Sequence, residues 1–209
     1  MFGMTNLAKA EARPYHHGDL SRALIEAARR ILEKDGPSAL SLRAVAREAG
    51  VSPAAPYHHF KDKGELLEAV AHEGWVALDA ALLEARTAAH SARDRMTAIG
   101  VAYVCFARDN PAIYRVMYDC SRDKDALPEQ MKTEGAYCHV RNTIQEADSA
   151  VSELDLELAT IAAWCAAHGL AEMIGFKQFD PLKVALGGEE GFLRAVFEHL
   201  GMFARLDRA

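Results

Sequence analysis

Nine histidines, four cysteines and a run of tyrosines are the residues of this 209-residue chain that could do chemistry. Metal binding is the first chemistry to weigh. His16 and His17 are adjacent, with Asp19 two residues on. Neighbouring imidazoles do not easily converge on one ion from a helix, where a spacing of three or four is usual. Contact of this segment with phosphate, or helix capping, is the better reading. A second possible set, Cys165 and His168 with Cys138-His139, has no spacing that compels a site. No metal and no cofactor are therefore expected. The cysteines Cys105, Cys120, Cys138 and Cys165 have no CxxC spacing and sit inside apolar helical patterns, as reduced core thiols of a cytoplasmic protein would. Catalysis finds no footing: there is no nucleophile elbow, no phosphate-binding glycine loop and no HExxH. No catalytic residues are assigned, and an enzyme is not expected.

The remaining chemistry is electrostatic. The whole chain is net −6, yet residues 1–64 hold ten Lys and Arg against seven Asp and Glu, a net of +3. The rest is thus net −9. Only the N-terminal part suits a polyphosphate. Charge interrupts every apolar stretch well before 18 residues, so no membrane span and no membrane partner are expected. Met1 to Arg13 lacks the apolar run of a secretory signal.

The elements that position these residues are helices. Half of the residues are hydrophobic, enough for a substantial core. After an irregular arm over 1–14, Leu20, Leu24, Ala27, Ala28, Ile31 and Leu32 recur at helical spacing over about 19–34, and Gly36-Pro37 stops that helix. Ser41 is a good N-cap for a second helix with Leu42, Val45, Ala46 and Ala49 on one face, ended by Gly50. Ser52-Pro53 reads as the cap and first residue of a third, running to Phe60, a core residue. Pro56 conflicts with that reading, because it lacks an N–H and disfavours α geometry at Ala55; the alternative is a late start at Pro56. Further helices are expected over about 65–89, 92–109, 112–119, 128–148, 154–176 and 189–206. No alternating strand pattern and no repeat appears. The fold class is all-α, with about nine helices: residues 1–64 form a DNA-binding domain with its arm, and 65–209 a second helical domain.

Two short helices joined by a glycine turn, braced by a helix in front, form a helix-turn-helix unit. The residues themselves carry a resemblance. Tyr15-His16-His17-Gly18-Asp19-Leu20, then Ser41 through Ser52, then Tyr57-His58-His59-Phe60-Lys61-Asp62-Lys63 resemble the N-terminal domain of the TetR family of regulators over about 16–72. Trp164-Cys165-Ala166-Ala167-His168-Gly169, preceded by Asn110-Pro111-Ala112-Ile113-Tyr114-Arg115, looks like a signature of one subgroup. The resemblance implies a sequence-specific regulator, a repressor released from double-stranded operator DNA by a small molecule. Carried over by position, Ser52, Pro53, Ala54 and Ala55 begin the helix that faces the bases. Tyr57 and His58 lie in its middle, and Lys61 and Lys63 follow as phosphate or groove contacts. Arg43 is the candidate for direct readout, since a guanidinium can pair bidentately with guanine.

Such proteins bind symmetric sites as homodimers. The resemblance implies a four-helix dimer bundle from the last two long helices, with Ala159, Ala163, Phe192, Val196, Phe197 and Leu200 as interface candidates. It places an effector pocket among the middle helices. Tyr103, Phe106, Tyr114, Met117, Tyr137, Trp164 and His168 are the candidates, with Trp164 and His168 one turn apart; the same stripe of aromatics and methionines also suits a core. A DNA-binding protein that works through a protein partner, without an effector, is the second reading.

Overall fold

The computed structural model describes residues 17–121 and 135–203, and the chain divides into two compact units between Leu66 and Leu67. Tyr15, His16 and the first part of the helix expected over 128–148 lie outside the described residues. Nine α-helices and no strands occur among the described residues.

The first unit is built on α1 (His17–Asp35) and α2 (Leu42–Glu48). Leu24, Ala27, Ala28, Ile31 and Leu32 are buried at the spacing of one helical face, and they meet Leu42, Val45 and Ala46 of α2 across the crossing. Ser41 caps α2: its Oγ accepts the Ala44 N–H at 3.1 Å. Ser41→Ala should lower the stability of this unit by about 1 kcal/mol, read as a lower urea midpoint in its chemical unfolding. At the far end Gly50 takes φ +68°, and two bonds close a Schellman motif, Gly50 N–H to Arg47 O at 3.2 Å and Val51 N–H to Ala46 O at 2.9 Å. A side chain at this left-handed position would be strained, so glycine sets the turn.

The third helix departs from its expected range. Residues 52–54 form a hydrogen-bonded turn, and only Ala55–His58 are helical, as a single 3-10 turn. The bonds show why. Ala55 N–H reaches Ser52 O and Tyr57 N–H reaches Ala54 O, both three residues back, while Pro56 has no N–H with which to reach Ser52. Ser52 therefore caps no α-helix, and of the four residues expected to begin the reading helix only Ala55 belongs to it.

Helix α3 (Lys63–Ala88) starts with a reciprocal cap. Asp62 Oδ1 accepts the Glu65 N–H at 3.0 Å, and Glu65 Oε2 accepts the Lys61 N–H at 2.7 Å.

In the second unit, α4 (Ala92–Asp109) is the central element, in contact with α6 (Ala136–Ala147), α7 (Glu153–Met173) and α9 (Glu189–Phe203). Helix α5 (Pro111–Ser121) follows α4 directly, and α8 (Asp180–Ala185) is a short turn of helix between α7 and α9. Leu78, Leu82, Val104, Ile113, Met117, Leu156 and Leu193 have essentially no exposed surface and form the core. Gly100 lets α4 and α9 approach closely: a Cβ there would lie 2.5 Å from the Phe197 ring. Arg86 donates to Thr143 Oγ1 at 3.1 Å and pairs with Glu146, which also takes Arg95 at 2.9 Å, tying α3 and α4 to α6.

Arg108 at the end of α4 donates to Asp109 at 2.7 Å and to Glu189 at the start of α9 at 2.7 Å. Its guanidinium holds both carboxyls below the usual carboxylate range. A carboxylate depressed in the folded state adds stability above its unfolded value of about 4 and loses that contribution as pH falls. The stability gap between wild type and Arg108→Met should therefore be widest near neutral pH and narrow below about pH 4, a trend that thermal midpoints across an acid series would read.

Candidate functional site

The face of the first unit around the 3-10 turn carries the DNA candidates. Ser52, Pro53 and Ala54 are exposed in the turn before it, and Ala55 is half-buried. Pro56 is buried, which fixes the turn on the body of the domain, and Phe60 is only 5% exposed in the core. Tyr57 is 53% exposed, a large surface for an aromatic ring, and His58 beside it is exposed too. Arg43 on α2 and Lys61 are exposed. Tyr57, His58 and Lys61 fall within five residues of chain, on a segment that the buried Pro56 and Phe60 anchor. Lys63 is placed differently. It is half-buried, and its Nζ donates to the Pro37 carbonyl at 2.7 Å, where it secures the loop after α1. Its ammonium retains further donors, but its position is set by that bond.

The second unit brings a different set together. Tyr103 of α4, Tyr114 and Tyr118 of α5, and Trp164 and His168 of α7 converge through their polar atoms. The Trp164 indole N–H donates to Tyr118 Oη at 3.1 Å, Tyr118 bonds Tyr103, and Tyr103 bonds Tyr114 at 3.1 Å. Tyr114 and Tyr103 reach His168 Nδ1 at 2.5 and 3.3 Å. Trp75 of α3 stacks on Trp164 with centroids 6.3 Å apart, and Tyr118 lies 4.4 Å from the His168 ring. Burial pushes the phenols of Tyr103, Tyr114 and Tyr118 above the usual range, so all three stay neutral donors. Tyr137 of α6 is buried beside Trp164, donates to Glu157 at 3.1 Å and has its phenol pushed up to about 12, first by burial and then by that carboxylate.

Five of the seven candidate pocket residues thus meet. Tyr118 and Trp75 join them; Tyr118 has the right spacing, four residues from Tyr114, whereas Trp75 lies on a helix that no sequence signal ties to the others. Met117 is fully buried, and its Sδ packs over Gly74 of α3. Phe106 is half-buried on α4 and takes no part in the polar cluster. His139 Nε2 bonds Asp79 at 2.8 Å, away from His168. Among the described residues no group of three or more His, Cys, Asp or Glu side chains could hold a metal.

The interface candidates separate as well. Phe192 is 4% exposed and packs against Phe179 at 5.4 Å, while Phe197 covers Gly100. Both are engaged within the subunit, because α9 packs along α4, and Phe192 has no surface left to offer. Ala159, Ala163 and Val196 are half-buried, and Leu200 is exposed. Exposed apolar residues in the first half of α7 include Leu154, Leu158 and Ile161, at spacings of four and three, followed by the exposed Cys165. They form a stripe on one face that the sequence does not single out, since α7 is apolar nearly all round.

A helix-turn-helix unit with an exposed aromatic and basic face, joined to an all-helical unit, is the architecture of a DNA-binding regulatory protein. The profile of the bacterial regulatory proteins of the tetR family matches residues 24–70, and that of the tetracyclin repressor-like C-terminal domain matches residues 96–199. The HTH-type transcriptional regulator BetI of Rhizobium meliloti (strain 1021) is 36% identical over 78 residues, a match that spans 37% of this chain and 38% of that protein. A solved structure of a protein with unknown function from Rhodococcus sp. RHA1 is 33% identical with a TM-score of 0.75, covering 90% of this chain and 96% of that one. A TetR-family transcriptional regulator from Haemophilus influenzae RD shares the fold at 23% identity and a TM-score of 0.59, over 77% of this chain and 87% of its own. The chain belongs to the TetR family of bacterial regulatory proteins. Among the described residues no single helix is long and apolar enough to cross a membrane.

Proposed function

We propose that this regulator is a homodimeric repressor in the cytoplasm that leaves its operator when a small molecule binds the second unit. The observation that carries the DNA part is the exposed Tyr57-His58 pair with Lys61, held on a turn whose Pro56 and Phe60 are buried. A rigid turn presents these side chains at little entropic cost, and lysine contacts to phosphate give salt-dependent affinity. Arg43 is the group suited to a base edge, and the short 3-10 turn leaves few other side chains to read sequence.

The α7 stripe of Leu154, Leu158 and Ile161, together with Leu200, is the surface that supports a dimer. Leu158→Glu with Ile161→Glu should convert the protein to a monomer in analytical ultracentrifugation; an unchanged dimer would move the interface elsewhere. The aromatic cluster supports the effector site, since it combines ring surface with a few directed polar groups. The test is fluorescence anisotropy on DNA upstream of the protein's own gene, as a salt series, then repeated with a panel of metabolites of both charges chosen by thermal shift. A compound that binds only the native state raises the melting temperature and, as an effector, lowers DNA affinity through its preference for the free conformation. No stabilising compound, with DNA binding intact, would favour a regulator that answers to a protein partner.

A further inference from the structure

The residues before the 3-10 turn carry little that can form a hydrogen bond with a base. In a helix-turn-helix unit the residues that open the reading element lie nearest the base edges. Here those residues are Ser52, Pro53, Ala54 and Ala55. The first three are exposed, Ala55 is half-buried, and Pro56 behind them is buried. Of the three exposed side chains two, Pro53 and Ala54, are pure hydrocarbon, and Ser52 adds a single hydroxyl. The polar groups of this face flank them in the chain: Arg43 on α2 before, and Tyr57, His58 and Lys61 after. The turn is also tied to itself. Ala55 N–H donates to the Ser52 carbonyl at 3.0 Å, and Tyr57 N–H donates to the Ala54 carbonyl at 3.2 Å. The proline ring fixes φ at Pro53 as well, so the two hydrocarbon side chains are held in place.

Hydrocarbon discriminates among base edges by what it cannot satisfy. In the major groove guanine presents N7 and O6, adenine N7 and its amino group, and cytosine its amino group. A proline ring or an alanine methyl laid over any of these removes water and returns no hydrogen bond, which costs free energy. Thymine alone among the four bases presents a methyl group, at C5. We propose that Pro53 and Ala54 read thymine through that methyl group in each half-site of the operator, so that apolar contact and not hydrogen bonding carries the base preference under this turn. The proposal rests on the reading of this face as the DNA-binding face.

The test uses the full-length protein and the duplex that it selects in vitro from random double-stranded DNA. Anisotropy then compares that duplex with copies in which each half-site thymine in turn is replaced by deoxyuridine. The change removes the methyl group and keeps every hydrogen-bonding group of the base. The expected result is a half-site with fixed thymines, and affinity lower on the order of four-fold for each contacted methyl group removed, the value of about one buried CH₂. At the same position 5-methylcytosine paired with guanine should bind more tightly than cytosine. Pro53→Ser with Ala54→Gly should bind the thymine and uracil duplexes alike and keep the wild-type salt slope, since no charge has changed. A half-site with no fixed thymine, or equal binding of the two duplexes by the wild type, would overturn the proposal. So would a uracil effect as large in the double variant as in the wild type, because it would come from the stiffness of the DNA and not from contact. Failure of the DNA reading looks different: no duplex is enriched even at low salt, and the proposal falls with it.

Discussion

A protein carrying Tyr57→Ala and Lys61→Ala together should bind its operator on the order of 100-fold more weakly, with a log–log salt slope shallower by about one. The salt slope reports Lys61, because one ammonium that meets a phosphate releases about one counterion. Tyr57 adds a neutral contact whose loss weakens binding at every salt concentration. Both side chains are exposed, so the variant should melt with the wild type. Anisotropy over a salt series and a thermal melt, run on the same sample, separate the two effects. Lys63→Ala makes the control: its Nζ holds the Pro37 carbonyl, so its loss should lower stability as well as affinity. Wild-type affinity in the Tyr57, Lys61 variant would remove this turn from the DNA interface.

The second large effect belongs to the other unit. Gly100→Ala should destabilise it by about 1–3 kcal/mol, the usual result of forcing extra volume into a packed core. A Cβ at position 100 lies 2.5 Å from the Phe197 ring, far inside van der Waals contact, so either the ring leaves its position or α4 and α9 separate. Phe197→Leu in the same chain should recover much of the loss, since a smaller side chain makes room for the new methyl group. Non-additivity of the two changes in chemical unfolding is the measurement, and it identifies the contact as the cause. Simple addition of the two losses would mean that the helices adjust freely and that glycine is dispensable there.

Much of the first unit was legible because its signals are local. Ser41 caps α2 and Gly50 closes it through short-range bonds, so residue type and position suffice. Pro56 was legible only as a conflict. Sequence shows a proline where a helix interior is expected; whether the chain bends, starts late or tightens into a 3-10 turn depends on how well residues 52–60 pack, and the buried Pro56 and Phe60 decide it. Lys63 shows the opposite limit. As a charge after an aromatic pair it looks like a phosphate contact, yet the loop after α1 comes close enough for the Pro37 carbonyl to hold it.

The second unit depends more on distance along the chain. Trp164 and His168 are four residues apart on α7 and share a face by helical geometry alone. Their partners Tyr103, Tyr114 and Tyr118 come from two other helices, and Trp75 from a third, so the hydrogen-bonded cluster exists only once α3, α4, α5 and α7 have packed. Burial divides the interface candidates for a related reason. In α7 apolar side chains occur nearly all round, and periodicity then gives no direction, whereas α9 carries the exposed Glu190, Arg194 and Glu198 at spacings of four on one face. Phe192 and Phe197 turn inward because α9 lies along α4, and Leu154, Leu158 and Ile161 are left outside because α7 offers its other face to α4 and α6. By itself the sequence determined the helical class, the division of charge, the caps and turns, and the family motif, all of which rest on bonds or periodicities within a few residues. Only the tertiary structure decided which apolar face is buried, which lysine is held within the fold and which rings meet His168, because each depends on groups brought together from distant parts of the chain.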